Sequence, residues 1–396
     1  MFDTSKIISS VEAMKEEIIA NRRYLHEHPE ISGQEVETSK FAQEKMKKLG
    51  LTPVMCGNVA FYCIIDSGKP GKTLALRADM DALAMPESET NLKQKKVALS
   101  KNPAACHACG HDGHVSMLIA AATYIAEHKS ELTGRVMVVF ESGEESQPSS
   151  WPYIVEALKK EKADAIWGIH LYAMMKAGTI SVDAGPRMSG AGAFIFTIHG
   201  RGGHGSRPDQ SINPVLAASE IVSKLQTVIP LNVAPDQAGV VTVAAMKGGE
   251  AWNIIPDTCT VSGGIRYFSL ENYTKITDNM KNIIECLAAA NHCTATYEQW
   301  PGKAFPVIND EELAAIAAAA VDKVVPGTRA KEPAWMASES FGAYQDVVPG
   351  LFAFVGIADE ELGSGAPHHN VKFDLNEDTL LLGAKATLQF VSDYLA

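Results

Sequence analysis

Residues 135–170 read RVMVVFESGEESQPSSWPYIVEALKKEKADAIWGIH. Arg135 to Phe140 is an apolar run of strand length. Tyr153 to Lys160 has helical spacing, and Ala165 to Ile169 is a second apolar strand. The same alternation extends in both directions. Helices are expected over Val11 to Glu27, ending at Pro29, and over Glu35 to Leu49, stopped by Gly50. Strands are expected over Val59 to Ile65 and Thr73 to Ala78, with a helix over Asp112 to His128. Late in the chain, Leu351 to Ile357 reads as a strand and Asn376 to Leu395 as a long closing helix. Strands that alternate with helices build βαβ units. The expected class is therefore α/β, a mixed, largely parallel sheet with helices on both faces.

From about Met188 the pattern changes. Ala193 to His199 reads as a strand, and Gly200 to Gly205 as a glycine-rich turn. Asn213 to Val228 reads as a helix with Pro214 in its first turn. Strands Val240 to Met246 and Thr258 to Phe268, helix Glu271 to Ala290 and strand Thr294 to Trp300 follow. The order β-α-β-β-α-β is that of a ferredoxin-like α+β unit. It interrupts the α/β pattern, so residues 187–300 are expected as an insert. Residues 1–186 and 301–396 then form one discontinuous domain.

Composition narrows the function. The 396 residues are 46% hydrophobic and 21% charged, as in a soluble globular protein. A formal net charge of −12 argues against nucleic acid or an anionic membrane surface as partner. No apolar run is long enough to span a bilayer. Met1 to Ser10 lacks the basic flank and apolar core of a signal peptide. Seven scattered cysteines fit a reducing, cytoplasmic setting better than a disulfide framework.

The chemistry concentrates in His107-Ala-Cys-Gly-His-Asp-Gly-His114, which holds a thiol, three imidazoles and a carboxylate. Val115, Leu118, Ile119, Ala122, Ile125 and Ala126 then recur at helical spacing, so a loop feeds a buried helix. Cys109 and His111 can both face one ion or ion pair. Thiolate and imidazole suit borderline-soft divalent metals. A His-rich surface turn is the bland alternative. Asp79 and Asp81, Glu144 and Glu145, and His170 each follow an expected strand, where open α/β sheets place ligands. Singly each reads as a loop residue; beside the Cys/His cluster they mark a site.

Two ions about 3.5–4 Å apart can clamp a hydroxide and polarise a carbonyl. The residues on offer are Cys109 as bridge, His111 and His170 as imidazoles, Glu145 as carboxylate, and a late histidine at 368 or 369. Adjacent side chains diverge, so Glu144 can face the water as a base. A metal-free reading makes Cys109 the nucleophile of a thiol hydrolase. It leaves the glutamate pair and the distant histidines without a role. No phosphate-binding loop is present.

Together these residues resemble the M20 metallopeptidase family, in its amidohydrolase branch of aminoacylases, hippurate hydrolases, auxin-conjugate hydrolases and acetyl-diaminopimelate deacetylases. The resemblance spans almost the whole chain. It runs through Arg23-Tyr-Leu-His-Glu-His-Pro-Glu30, Leu76-Arg-Ala-Asp-Met-Asp-Ala-Leu83, His107 to His114, Glu144-Glu145 and His170. It continues through Gly202-Gly-His-Gly-Ser-Arg-Pro208, Asn253-Ile-Ile-Pro-Asp257, Gly264-Ile-Arg266, Ser338-Glu-Ser-Phe341 and Pro367-His-His-Asn370. It implies two divalent ions per subunit, from among Mn, Zn, Co and Ni. Cys109 would bridge them, with His111, Glu145, His170 and His369, rather than His368, as the other ligands.

The resemblance further implies Glu144 as general base. His204 would stabilise the oxyanion, in its own or a partner subunit, and Asn253 and Arg266 would lie near the substrate carboxylate. The insert would be a lid that also mediates a homodimer or homotetramer. The implied reaction cleaves the amide bond of an N-acyl amino acid into a carboxylic acid and an amino acid. A dipeptidase or carboxypeptidase of the same family, and a catalytically silent metal- or ligand-binding member, are the alternatives. Three departures bear on the substrate. The family's Gln-Pro-Ala before the glutamate pair is Glu141-Ser142-Gly143, its Trp-Pro step is Leu171-Tyr-Ala173, and its Glu-Asp-Phe is Glu339-Ser340-Phe341. The first adds a negative charge near the site.

Overall fold

The computed structural model describes residues 1–396, which pack as two compact units. The first comprises Met1–Arg187, Ile308–Pro333 and Ala343–Ala396; the second comprises Met188–Val307 and Ala334–Gly342. Residues 301–307 and the segment Ala334–Gly342, which sequence reading leaves in the first unit, pack with the second.

The first unit is built on a seven-stranded sheet. Its order is Val54–Met55, Phe61–Asp66, Arg135–Glu141, Thr73–Asp79, Ala165–Lys176, Gly350–Ala358, Ile180–Ser181. The four strands from Arg135–Glu141 to Gly350–Ala358 are parallel. The strands outside them pair antiparallel. Thr73–Asp79 is buried at every position. A strand covered on both faces shows no polar alternation, which is why it reads as a nearly continuous apolar run.

The α/β class is as the sequence implies, but several boundaries differ. The helix expected over Val11 to Glu27 is two helices, Thr4–Ala13 and Lys15–Glu27, that meet at Met14. Asn213 to Val228 likewise divides into Pro214–Leu225 and a short turn of helix, Val228–Asn232. The strand expected to end at Ile169 runs on to Lys176. Gly350–Ala358 continues beside it, with Phe354 opposite His170 and Val355 opposite Leu171. The neighbour on the other side, Thr73–Asp79, stops pairing at Arg77 opposite Gly168. His170 thus stands inside a strand, just past the point where that neighbour stops pairing. The helix Glu311–Val324 was not expected. Its run of alanines carries no contrast between faces, so periodicity is silent there. It starts where the Asp310 side chain accepts the Leu313 N–H at 3.0 Å.

The second unit is an antiparallel sheet in the order Gly239–Lys247, Thr258–Tyr267, Gly190–His199, Thr294–Gln299. Helices Pro214–Leu225 and Leu270–Ala290 bury Ala217, Ile221, Ile276 and Met280 with Phe194, Phe196 and Val261 of that sheet. Asn213 caps the first helix and Ser269 the second. No helix is long and apolar enough to cross a membrane.

Trp167 ties the first unit's sheet to helix Thr379–Tyr394. Its ring stacks on Phe390 at 4.5 Å, and its indole N–H donates to Thr387 Oγ1 at 3.1 Å. Truncating a buried tryptophan leaves a cavity and costs about 3–5 kcal/mol. Trp167→Ala is expected to lose that much in urea unfolding. A loss below about 1 kcal/mol would mean the helix is held elsewhere.

Candidate metal centre

Two glycines shape the loops that carry the candidate ligands. Gly110 has φ of 93° and lets the chain turn between Cys109 and His111, the first residue of helix His111–His128. Gly143 has φ of 69°, and a Cβ there would stand 2.2 Å from the Pro148 carbonyl oxygen. Glu144 and Glu145 follow it. The donor atoms of Cys109, His111 and His170 lie within 4.8 Å of one another. The same limit holds for Cys109, Glu145 and His369, and for His111, Glu144 and Glu145. Five residues expected as ligands and the expected base therefore come together.

Each imidazole is oriented by a bond to one of its nitrogens. A neutral ring carries one proton, so that bond decides what the other nitrogen offers. His111 Nδ1 is 3.1 Å from Asp81 Oδ1, to which it donates. In the neutral ring its Nε2 then carries a lone pair, and this buried atom has no hydrogen-bond partner. His170 Nδ1 donates to the Leu171 carbonyl at 2.7 Å, and its Nε2 lies 3.7 Å from Cys109 Sγ. His114 is the opposite case. The Leu171 N–H donates to its Nε2 at 2.9 Å, so its proton is on Nδ1, 2.6 Å from Asp79 Oδ1. His111 and His170 thus present lone pairs near a thiol, and His114 does not. With the carboxylate of Glu145 beside them, this donor set fits divalent cations.

Electrostatics point the same way. Burial, reinforced by Glu145, pushes the Cys109 thiol well above its ordinary value. Catalytic thiols are held low instead, so this environment does not make a thiol nucleophile. Burial pushes His111 down, but Asp79 and the bonded Asp81 outweigh it and hold the group well above its usual value. The pocket therefore favours positive charge. Burial, with His114 and His368 nearby, pushes His170 well down. His369, half-buried with its Nε2 3.1 Å from Glu145 Oε1, is raised by that bond.

Support from behind the cluster was only partly legible. Asp81 takes the His111 proton on one oxygen; on the other it accepts the Glu145 N–H at 2.9 Å and the Ser32 hydroxyl at 2.7 Å. Arg77 is buried; its Nε donates to Glu141 Oε2 at 2.6 Å and its NH1 to Asp79 Oδ2 at 2.8 Å. The extra negative charge of Glu141 is thus neutralised within the sheet. Glu35 carries no signal in the sequence beyond the start of a helix. It is fully buried and accepts the Ser142 hydroxyl at 2.8 Å and the Gly143 N–H at 2.7 Å. It holds the turn that leads into Glu144. His26 lies 2.8 Å from both Asp112 and Glu87. His28 donates to the Tyr24 carbonyl at 2.7 Å.

His204, Asn253 and Arg266 belong to the second unit. His204 pairs with Ile254 across a short two-stranded ladder, and the Asn253 carbonyl accepts the Gly205 N–H at 2.8 Å. Ser206 N–H donates to His204 Nδ1 at 3.2 Å, which places the His204 proton on Nε2. Arg266 donates to two neutral carbonyls, Met336 O at 3.2 Å and Ile265 O at 2.9 Å. No carboxylate pairs with it.

This fold and this donor set define a metal-dependent hydrolase of amide bonds. The chain belongs to the peptidase family M20/M25/M40, matched over residues 75–393. It is 36% identical to the IAA-amino acid hydrolase ILR1-like 4 of Arabidopsis thaliana, over 96% of this chain and 86% of that one. A protein of methicillin-resistant Staphylococcus aureus assigned as an aminohydrolase has a similar structure. Its TM-score is 0.92 at 32% identity, covering 100% of both chains. The Bacillus subtilis YXEP protein, a dinuclear metal-binding M20 peptidase, matches at a TM-score of 0.82 and 28% identity, over 97% of this chain and 99% of that one.

Burial, with Asp81 nearby, raises the Glu35 carboxyl from 4.5 to about 7. A raised carboxyl stabilises the fold while protonated. That contribution is complete below about 4.5 and is lost as pH rises through about 7. Glu35→Gln is expected to remove about 3 kcal/mol of the fall in stability between about pH 5 and about pH 8. Urea midpoints of the chelated protein at the two pH values measure it. Equal falls in variant and wild type would refute the assignment.

Proposed function

We propose that the protein hydrolyses N-acyl amino acids to a carboxylic acid and an amino acid. The observation that carries this reading is the convergence of Cys109, His111, Glu145, His170 and His369, with Glu144 beside His111 and Glu145. Cys109, His111, Glu145, His170 and His369 would hold two divalent ions there. Softness of the thiolate favours Zn, Co or Ni, and Mn is the family's other candidate. Bound there, such ions supply Lewis acidity toward a carbonyl oxygen and water of lowered pKa.

The chain's own residues do the rest. Glu144 accepts a proton from water at a carboxylate oxygen and delivers it to the departing amine nitrogen. His204 offers its Nε2–H to the oxygen that gains negative charge. Arg266, a permanent cation with a forked donor, holds the carboxylate of the amino-acid half, and Asn253 adds a neutral donor. The name of the Arabidopsis relative, an amino-acid conjugate hydrolase, supports this substrate class. The inserted unit is read as a lid through which two or four copies associate, since strand Gly239–Lys247 is an open edge of its sheet. Free cysteines throughout the chain support a cytoplasmic setting.

Chelation is expected to abolish hydrolysis of N-acyl amino acids, and an added divalent ion to restore it. Full turnover in protein shown by metal analysis to be empty would overturn the reading. Glu144→Gln keeps the shape of the side chain but cannot accept the proton. It should retain its metal and lose about 10²–10⁴-fold in kcat. A variant within about threefold of wild type would remove Glu144 from the role of base.

A free acid should be cleaved far better than its carboxyl amide. Arg266→Ala should narrow that gap by lowering kcat/KM for the acid about ten- to a hundredfold. Equal rates on acid and amide in the wild type would exclude a carboxylate pocket.

A further inference from the structure

Two imidazoles approach the Cys109 sulfur, and they offer it opposite things. His170 Nε2 lies 3.7 Å from Sγ and His368 Nδ1 lies 3.6 Å from it. His170 spends its proton on the Leu171 carbonyl and so turns a lone pair toward the sulfur. His368 is reversed, because the main-chain N–H of Ala173 donates to its Nε2 at 3.0 Å. A neutral ring with an accepting Nε2 carries its proton on Nδ1. That N–H points at the sulfur. The ring is also held in place: it stacks on Tyr172 at 5.8 Å with 15° between planes, and packs on Phe373 at 5.3 Å.

We infer that His368 is a positioning residue that donates its Nδ1–H to the Cys109 thiolate and so sets how strongly that sulfur binds metal. The inference rests on the reading of Cys109 as a metal ligand. A hydrogen bond to a ligating sulfur draws charge out of it, and such bonds shift the electronic properties of metal–thiolate centres. With less charge donated by sulfur, a bound ion keeps more of its Lewis acidity. The tandem His368-His369 therefore divides the work. His369 faces Glu145 with its Nε2, whereas His368 acts on the sulfur through its Nδ1–H. Tyr172, in the step where the family carries Trp-Pro, is the residue that stacks on this ring.

The test uses the full-length protein loaded with cobalt. It reads the near-ultraviolet thiolate-to-cobalt charge-transfer band, metal content and turnover in wild type, His368→Phe, His368→Gln and His369→Phe. His368→Phe should retain all of its cobalt, shift the band to longer wavelength and lower kcat about three- to tenfold. His368→Gln, whose amide can donate, should return most of the shift. His369→Phe should lose cobalt.

Loss of cobalt from His368→Phe would make His368 a ligand and overturn the inference. An unmoved band with full metal content would also overturn it, by reducing the role to packing. Absence of the band from the wild type would remove Cys109 as a ligand and take the metal-centre reading with it. A variant that does not fold leaves a direct measurement on the wild type. Ring-nitrogen NMR of labelled histidine in the metal-free protein should find the His368 proton on Nδ1, and a proton on Nε2 would refute the inference.

Discussion

One constraint orders the centre: four of its histidines, His111, His114, His170 and His368, have a nitrogen already committed elsewhere, and that commitment decides what the other nitrogen is. Asp81 and the Leu171 carbonyl accept hydrogen bonds from His111 and His170. The main-chain N–H groups of Leu171 and Ala173 donate hydrogen bonds to His114 and His368. The strand Ala165–Lys176 supplies three of these four partners from two of its residues, Leu171 and Ala173. Its backbone therefore sorts neighbouring imidazoles into lone-pair donors and N–H donors. Such outer partners fix ring orientation and tautomer, and the metal chemistry inherits both.

The arrangement concentrates charge where the sheet is driest. Asp79, Asp81, Glu141, His111 and Arg77 are each no more than 2% exposed. Burying ions is costly unless each is paired and hydrogen-bonded. Here the carboxylates answer to Arg77, His111 and His114, and a backbone N–H meets one of them. The polar groups sit at the carboxyl edge of parallel strands. There the chain leaves the sheet, and glycine turns at Gly110 and Gly143 aim the next side chains.

Much of this was legible. The α/β class and the β-α-β-β-α-β insert follow from where apolar runs lie and how they alternate. Cys109, His111, Glu144, Glu145 and His170 stand out because soft and anionic donors cluster near strand ends. Residues that act through others left no such trace. Glu35 reads as the start of a helix, yet its carboxylate reaches Ser142 and Gly143, more than a hundred residues away. His368 differs from His369 only in which way the ring faces. That depends on Ala173, nearly two hundred residues earlier. The helix Glu311–Val324 escaped because alanine serves core and surface alike. Contact across long sequence separation, and face without contrast, are the two kinds of information that spacing does not hold.

The pairing of Arg77 with Glu141 has a historical consequence. Where the family pattern carries glutamine, this chain carries an acid that lies opposite Asp79 in the adjoining strand. An arginine spans both, and a lysine, with a single point charge in place of a fork, would not meet two carboxylates in the same way. Positions 77 and 141 therefore cannot drift independently. A lineage that lost the arginine while keeping the glutamate would take from two buried carboxylates the one cation that spans both. The order of substitution is constrained: the acid at 141 can arise on the arginine background, and the arginine can be released only after that acid has gone.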